Sequence, residues 1–162
     1  MILDSDLLDR KRYKYSDLGY YLLQRFIENE YDQNLNFLID EHFYEKIGME
    51  NMGYLPRENI EKSRMVPTEY DYLFRGQLIH GYVHDQGAAM LGGVGGHAGV
   101  FGNANDLCKI MQMYLNQGEY GEERYLSSEV VKEFTSYQFR KDNNRRGAGF
   151  DKPALEKGGS AC

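Results

Sequence analysis

The sequence predicts a mostly helical, loop-rich segment with few strands. Four stretches repeat apolar residues at helical spacing. Residues 49–102 lack such periodicity and are broken by Pro56, Pro67 and many glycines. Within them only short runs, around 65–67 and 81–84, have the composition of extended pieces.

Residues 1–14 read as a charged approach segment. The first helix is expected over 16–29. Leu18, Leu22 and Phe26 lie four apart, Leu23 and Ile27 widen the stripe, and Ser16 or Asp17 can cap its start. The second is expected over 35–47, with Leu35, Ile39, Phe43 and Ile47 on one face, Asn34 as cap and Gly48 as stop. Glycines crowd 92–99, where they serve tight backbone turns. The third helix is expected over 104–116, with Asn103 and Asp106 as a capping pair and Gly118 as stop. Its buried face is read as Leu107, Ile110, Met111, Tyr114 and Leu115. Ser127 caps a short fourth helix to Thr135, with Leu126 and Val131 spaced as a hydrophobic staple. The last stretch is polar and glycine-rich, without a closing element or any internal repeat.

With 162 residues the chain is long enough for one domain with a core. Its net charge of −6 argues against nucleic acid, because phosphate binding needs clustered Lys and Arg. The run Arg10-Lys11-Arg12-Tyr13-Lys14 reads as a solvated segment. No apolar run approaches the roughly 20 residues of a membrane span. No signal peptide opens the chain, so a secreted origin would need one lost upstream. Two cysteines exclude a disulfide framework. Cys108 falls in a helical apolar pattern and is expected to be buried, and Cys162 has no designed partner.

Nucleophile signatures are missing. Gly-x-Ser-x-Gly is absent, and no lysine has a serine three residues before it, so Ser-x-x-Lys is absent too. A P-loop is also absent. Gly93-x-Gly95-x-x-Ala98 matches a dinucleotide fingerprint loosely, but no strand–helix–strand pattern surrounds it. No cofactor is expected.

Metal is a second possibility. His80, His84 and His97, with Asp85 adjacent, could supply ligands. Gly76, Gly81 and Gly87 oppose the helix that would align them, and the glutamate of His-Glu-x-x-His is missing because Gly81 follows His80. Histidines bonded to backbone groups in turns account for the same residues.

Tyr15-Ser16-Asp17 carries the strongest signal. The plain alternative is a tyrosine before a helix cap, packed on the core. However, Tyr15-Ser-Asp-Leu-Gly-Tyr-Tyr-Leu-Leu23 resembles the Tyr-x-Asn block of class C β-lactamases, DD-peptidases and related esterases, which opens a helix in the same way. His84-Asp85-Gln-Gly-Ala88, Leu91-Gly-Gly-Val-Gly-Gly-His-Ala-Gly-Val-Phe101 and Asn105-Asp106-Leu107 resemble that family's downstream region. The nearest likeness is to β-lactamase-like domains of Bacteroidetes-type bacteria, some of which follow a β-N-acetylglucosaminidase domain.

The resemblance implies an α+β chain with the β-lactamase/transpeptidase-like fold, this segment being mostly its helical cluster and crossover loops. It implies an acyl-enzyme hydrolase acting on a peptidoglycan peptide, an ester or a β-lactam, in the periplasm or cell envelope. In this family a serine of Ser-x-x-Lys attacks a carbonyl, and the lysine and motif tyrosine share the proton traffic. Only the tyrosine block maps onto this chain. Tyr15 would be the general base or acid, with Asp17 in place of the more familiar Asn. A free phenol, with a pKa of about 10, is a poor base at neutral pH. A lysine ammonium and a helix N-terminus would both favour its ionised form. Asp17 would pair with that lysine.

Residues 1–162 are therefore expected to be an incomplete domain, with the nucleophile upstream, the third motif downstream, and no turnover on their own. His97-Ala98-Gly99 and Lys157-Gly158-Gly159 imitate the third motif, but the first precedes a helix and the second lacks a hydroxyl residue. The glycine-rich loop is not read as an oxyanion hole, because that donor belongs beside the nucleophile. Isolated, the segment should expose apolar helix faces and self-associate. Two rivals stand beside this expectation: a non-catalytic domain binding cell wall or protein, and a metal-dependent hydrolase using the three histidines.

Overall fold

The computed structural model describes residues 2–4, 6, 14–140 and 144–155. The basic run at 10–13, the imitation motif at 157–159 and Cys162 lie outside the described residues. The chain divides into two compact units, Met1–Asp106 and Leu107–Cys162.

The first unit begins with α1 (Leu18–Tyr31). It starts two residues after Ser16, whose hydroxyl accepts the Leu18 amide at 3.2 Å. Asp17 occupies the cap position, but its side chain makes no capping bond. None of the residues of α1 is buried: the expected stripe is present, with Phe26 61% exposed.

The expected helix at 35–47 forms as α2 (Leu35–Ile39), a π-helical turn (Asp40–Tyr44) and α3 (Glu45–Ile47). Gly48 ends it in the left-handed conformation, as the sequence predicts. The wide turn changes which side faces inward. Leu35, Leu38, Tyr44 and Ile47 are buried, whereas Ile39 and Phe43 are only half-buried. With Met49, Ile79, Val83 and Ala88 they form the core of this unit.

The extended pieces expected at 65–67 and 81–84 are displaced. The strands are β1 (Glu69–Asp71) and β2 (Gln77–Ile79), an antiparallel hairpin between those positions. The buried Asp71 carboxylate accepts the amides of Leu73 and Phe74 and the Arg75 Nε at 2.7 Å. It therefore builds the turn, and these bonds hold its carboxyl down at about 2. The sequence pattern misses this hairpin because its strands are only three residues long and bury one side chain each. It also misses α4 (Gln86–Met90), which Asp85 caps by accepting the Ala88 amide at 2.7 Å.

The helix α5 (Ala104–Leu115) opens as expected: Asn103 accepts the Asp106 amide at 2.8 Å. Asp106 does not simply complete the capping pair. It is 2% exposed, and its carboxylate Oδ2 accepts the Asn51 amide at 2.9 Å, fixing the residues after α3.

In the second unit the expected inner face of α5 is largely open. Leu107, Met111 and Leu115 are exposed, and Met113 is the buried residue. Cys108 is likewise exposed, not buried, because it shares that open side. A two-residue-strand hairpin, β3 (Glu119–Tyr120) and β4 (Glu123–Arg124), leads into α6 (Ser128–Thr135). Ser127 caps α6 through the Val130 amide and Val131 is 2% exposed, as the staple spacing predicts. No described helix is long and apolar enough to cross a membrane.

Candidate active site

Tyr15 stands before the mouth of α1, 58% exposed, and its hydroxyl donates to the Asp17 carboxylate at 2.8 Å. Both candidate residues thus lie at the N-terminal end of a fourteen-residue helix. The helix end favours negative charge. The Asp17 carboxylate opposes a second one, since like charges disfavour each other.

The helix behind them is held mainly by polar contacts. Gln24 receives the Gly96 amide at 2.9 Å and donates to the Val94 carbonyl at 3.3 Å. A Cβ on Gly96 would lie 2.8 Å from the Tyr20 carbonyl oxygen, so only glycine lets the loop reach the backbone of α1 so closely. The Tyr54 hydroxyl donates to the Gly95 carbonyl at 2.9 Å and braces the loop from its other side.

His97 sits where loop, helix and α4 meet. Its side chain is 3% exposed, and Nε2 lies 2.7 Å from Asp85 Oδ1 and 3.4 Å from the Tyr21 hydroxyl. The rings of Tyr21 and His97 meet edge to face at 4.6 Å. A carboxylate accepts only, so Nε2 carries the proton and donates to Asp85. The Ala88 amide, above all, and then the His97 contact keep the Asp85 carboxyl below its usual range. Burial, then Asp85, then Asp17 push the Tyr21 phenol upward, so Tyr21 stays a neutral hydroxyl between the two acids. The His97 Nδ1 is buried without a partner. Such an atom costs on the order of 1–3 kcal/mol, so packing around the imidazole must offset it.

The three histidines do not converge. His80 Nε2 lies 2.8 Å from the Met65 carbonyl oxygen, His84 Nδ1 lies 2.6 Å from Glu69, and His97 pairs with Asp85. Among the described residues no group of three His, Cys, Asp or Glu side chains could hold a metal ion. The metal arrangement fails because each imidazole is tied to a different neighbour.

The sequence points to Tyr15 and Asp17, gives no role to Tyr21 or Gln24, and offers Asp85 and His97 as metal ligands rather than as partners of each other. Asp85 three residues before Ala88, ahead of a short apolar turn, was a legible cap. The partnership of His97 with α1 had no local signal, because the two lie 76 residues apart.

A helical cluster with little sheet and a glycine-rich loop is what the sequence resemblance implies for this segment. Comparison with known proteins agrees. The sequence matches the Beta-lactamase family over residues 6–158. It is 34% identical over 134 residues to an Escherichia coli O157:H7 protein named for D-alanyl-D-alanine carboxypeptidase, covering 75% of this chain and 31% of that one. An octameric penicillin-binding protein homologue from Pyrococcus abyssi superposes with a TM-score of 0.57 at 24% identity, over 78% of this chain and 26% of that one. The D-amino acid amidase of Ochrobactrum anthropi superposes with a TM-score of 0.54 at 14% identity, over 78% and 34%. The chain belongs to the β-lactamase family, and it spans about a third of the length of the curated relatives it matches.

Proposed function

We propose that this chain is the tyrosine-bearing part of a serine hydrolase that forms an acyl-enzyme on a peptidoglycan peptide, an ester or a β-lactam. The observation that carries the proposal is the Tyr15 phenol, open to solvent at the start of α1 rather than packed in the core. Family membership supports hydrolysis, and the names of the carboxypeptidase and amidase relatives favour an amide or peptide bond. A cell-envelope location follows from that substrate.

In this reading the serine and its lysine come from outside these residues, since the sequence contains no Ser-x-x-Lys. The lysine ammonium pairs with Asp17 and lowers the cost of ionising Tyr15. Tyr15 then takes the proton of the attacking serine and returns it to the leaving group. The open apolar side of α1, with Leu18, Leu22, Leu23 and Phe26, is the surface that the rest of the polypeptide covers. Residues 1–162 alone are inactive and self-associate through that surface.

Sequencing the gene on both sides of this segment, then treating the complete polypeptide with a labelled penicillin and with a fluorophosphonate, tests the proposal. The expected result is an upstream Ser-x-x-Lys whose serine becomes labelled, with no label on residues 1–162 alone. A complete polypeptide without that motif, inert to both reagents, would leave only a binding domain.

A further inference from the structure

Because α1 buries no residue, apolar packing does little to fix its position within these residues. Among the described residues its ties are the Gln24 bonds to Val94 and Gly96, the Gly96–Tyr20 approach, the Tyr21–His97 contact, a Glu28 bond to the Leu35 amide and an edge-on Tyr31–His42 ring contact at 5.9 Å. All but the last two engage Tyr20, Tyr21 or Gln24, in the half of the helix nearer Tyr15. The His97 imidazole is itself immobilised by Asp85, which also caps α4. A Cβ at position 87 would lie 2.3 Å from the Tyr21 hydroxyl, so a larger residue there would displace the Tyr21 phenol.

We infer that Asp85 and His97 are positioning residues: through Tyr21 they set the pose of the N-terminal half of α1, and with it the placement of Tyr15. The inference rests on the catalytic reading of Tyr15. The pair has the composition of a general-base dyad, with a proton on Nε2 held by a carboxylate and Nδ1 facing away. A general base must reach its proton, and Nδ1 is sealed from solvent with no partner. Its role is therefore to hold the helix. A partly buried donor–acceptor pair is directional, whereas an apolar contact would let α1 slide or rotate. Displacing a reacting group by about 1 Å can cost about 100-fold in rate.

Two measurements test the inference. On residues 1–162, hydrogen exchange is compared between the parent chain and His97→Ala, His97→Gln, Asp85→Asn and Tyr21→Phe. Exchange at the amides of 20–24 should rise about tenfold or more in His97→Ala and stay unchanged across α6. His97→Gln, which can still donate to Asp85, should recover part of the protection. On the complete polypeptide the same variants should lower kcat by about 10- to 100-fold while KM stays within about threefold. The rate should keep the shape of its pH profile, because no proton passes through the imidazole.

Unchanged exchange at 20–24 in His97→Ala would overturn the clamp, whatever the activity. A pH profile that loses a limb in His97→Gln would also overturn it, by making His97 a proton carrier. If Tyr15→Phe retained full turnover, the catalytic reading would fall, and the exchange data would judge the clamp by themselves. Tyr21→Phe keeps the ring and removes only the hydroxyl, so it remains informative should His97→Ala fail to fold.

Discussion

The Tyr15 hydroxyl donates to the Asp17 carboxylate at 2.8 Å, two residues along at the mouth of α1. A neutral phenol is stabilised by this bond, and a phenolate would face a like charge instead. In the proposed mechanism a cation that neutralises Asp17 removes this opposition.

Asp17→Asn in the complete polypeptide should therefore change the pH dependence. The amide can still accept the phenol proton but carries no charge. Activity should begin to rise at lower pH, with β-lactam turnover gaining relative to ester turnover. Steady-state rates from pH 5 to 10 on one ester and one β-lactam would check it. Identical profiles for both substrates would show that Asp17 pairs with nothing that matters.

Acid should release the β1–β2 hairpin. Asp71 has a folded value of about 2, below an ordinary value near 4. A depressed carboxyl contributes stability that is present above the unfolded value and lost as pH falls through the folded one. The contribution should disappear between about pH 4 and pH 2. Asp71→Asn should lose stability at pH 7 but show a flatter acid transition, measurable by thermal melts across that window.

Gly96→Ala is a steric test of the loop against α1. The new methyl meets the Tyr20 carbonyl oxygen at 2.8 Å and the Gln24 Cβ at 3.1 Å. Neither is the end of a flexible side chain. The variant should lose about 1–3 kcal/mol by denaturant titration, with faster exchange in α1.

Ile79→Ala should be costlier than a change in the exposed stripe of α1. Ile79 is 1% exposed, and truncating such a residue typically costs about 2–5 kcal/mol. Phe26→Ala in residues 1–162 should change stability by less than about 0.5 kcal/mol and reduce self-association, measured by sedimentation.

What was legible in the sequence follows physical range. The starts of α5 and α6 were readable because Asn103 and Ser127 act within three residues. The existence of the stripes on α1 and α5 was readable, but their burial was not, since burial depends on what lies across from them. Leu107 and Met111 have the right spacing and face outward. The π-helical turn at 40–44 could not be seen, because a regular period cannot report an inserted residue. The place of Tyr15-Ser16-Asp17 at a helix start was local and legible, but the hydrogen bond between Tyr15 and Asp17 was not. The Asp85–His97 contact with Tyr21 is a product of tertiary folding, whereas the histidine pattern reads as turn histidines bonded to backbone, with metal as the rival.

The most direct measurement is the acylation rate of the complete polypeptide carrying Tyr15→Phe, followed with a labelled penicillin beside the parent. Loss of the phenol hydroxyl should slow acylation by about 100- to 10,000-fold while the melting temperature stays within a few degrees, since Tyr15 is exposed. Acylation at the parent rate would contradict the account, because the hydroxyl at the mouth of α1 would then take no part in the proton transfer.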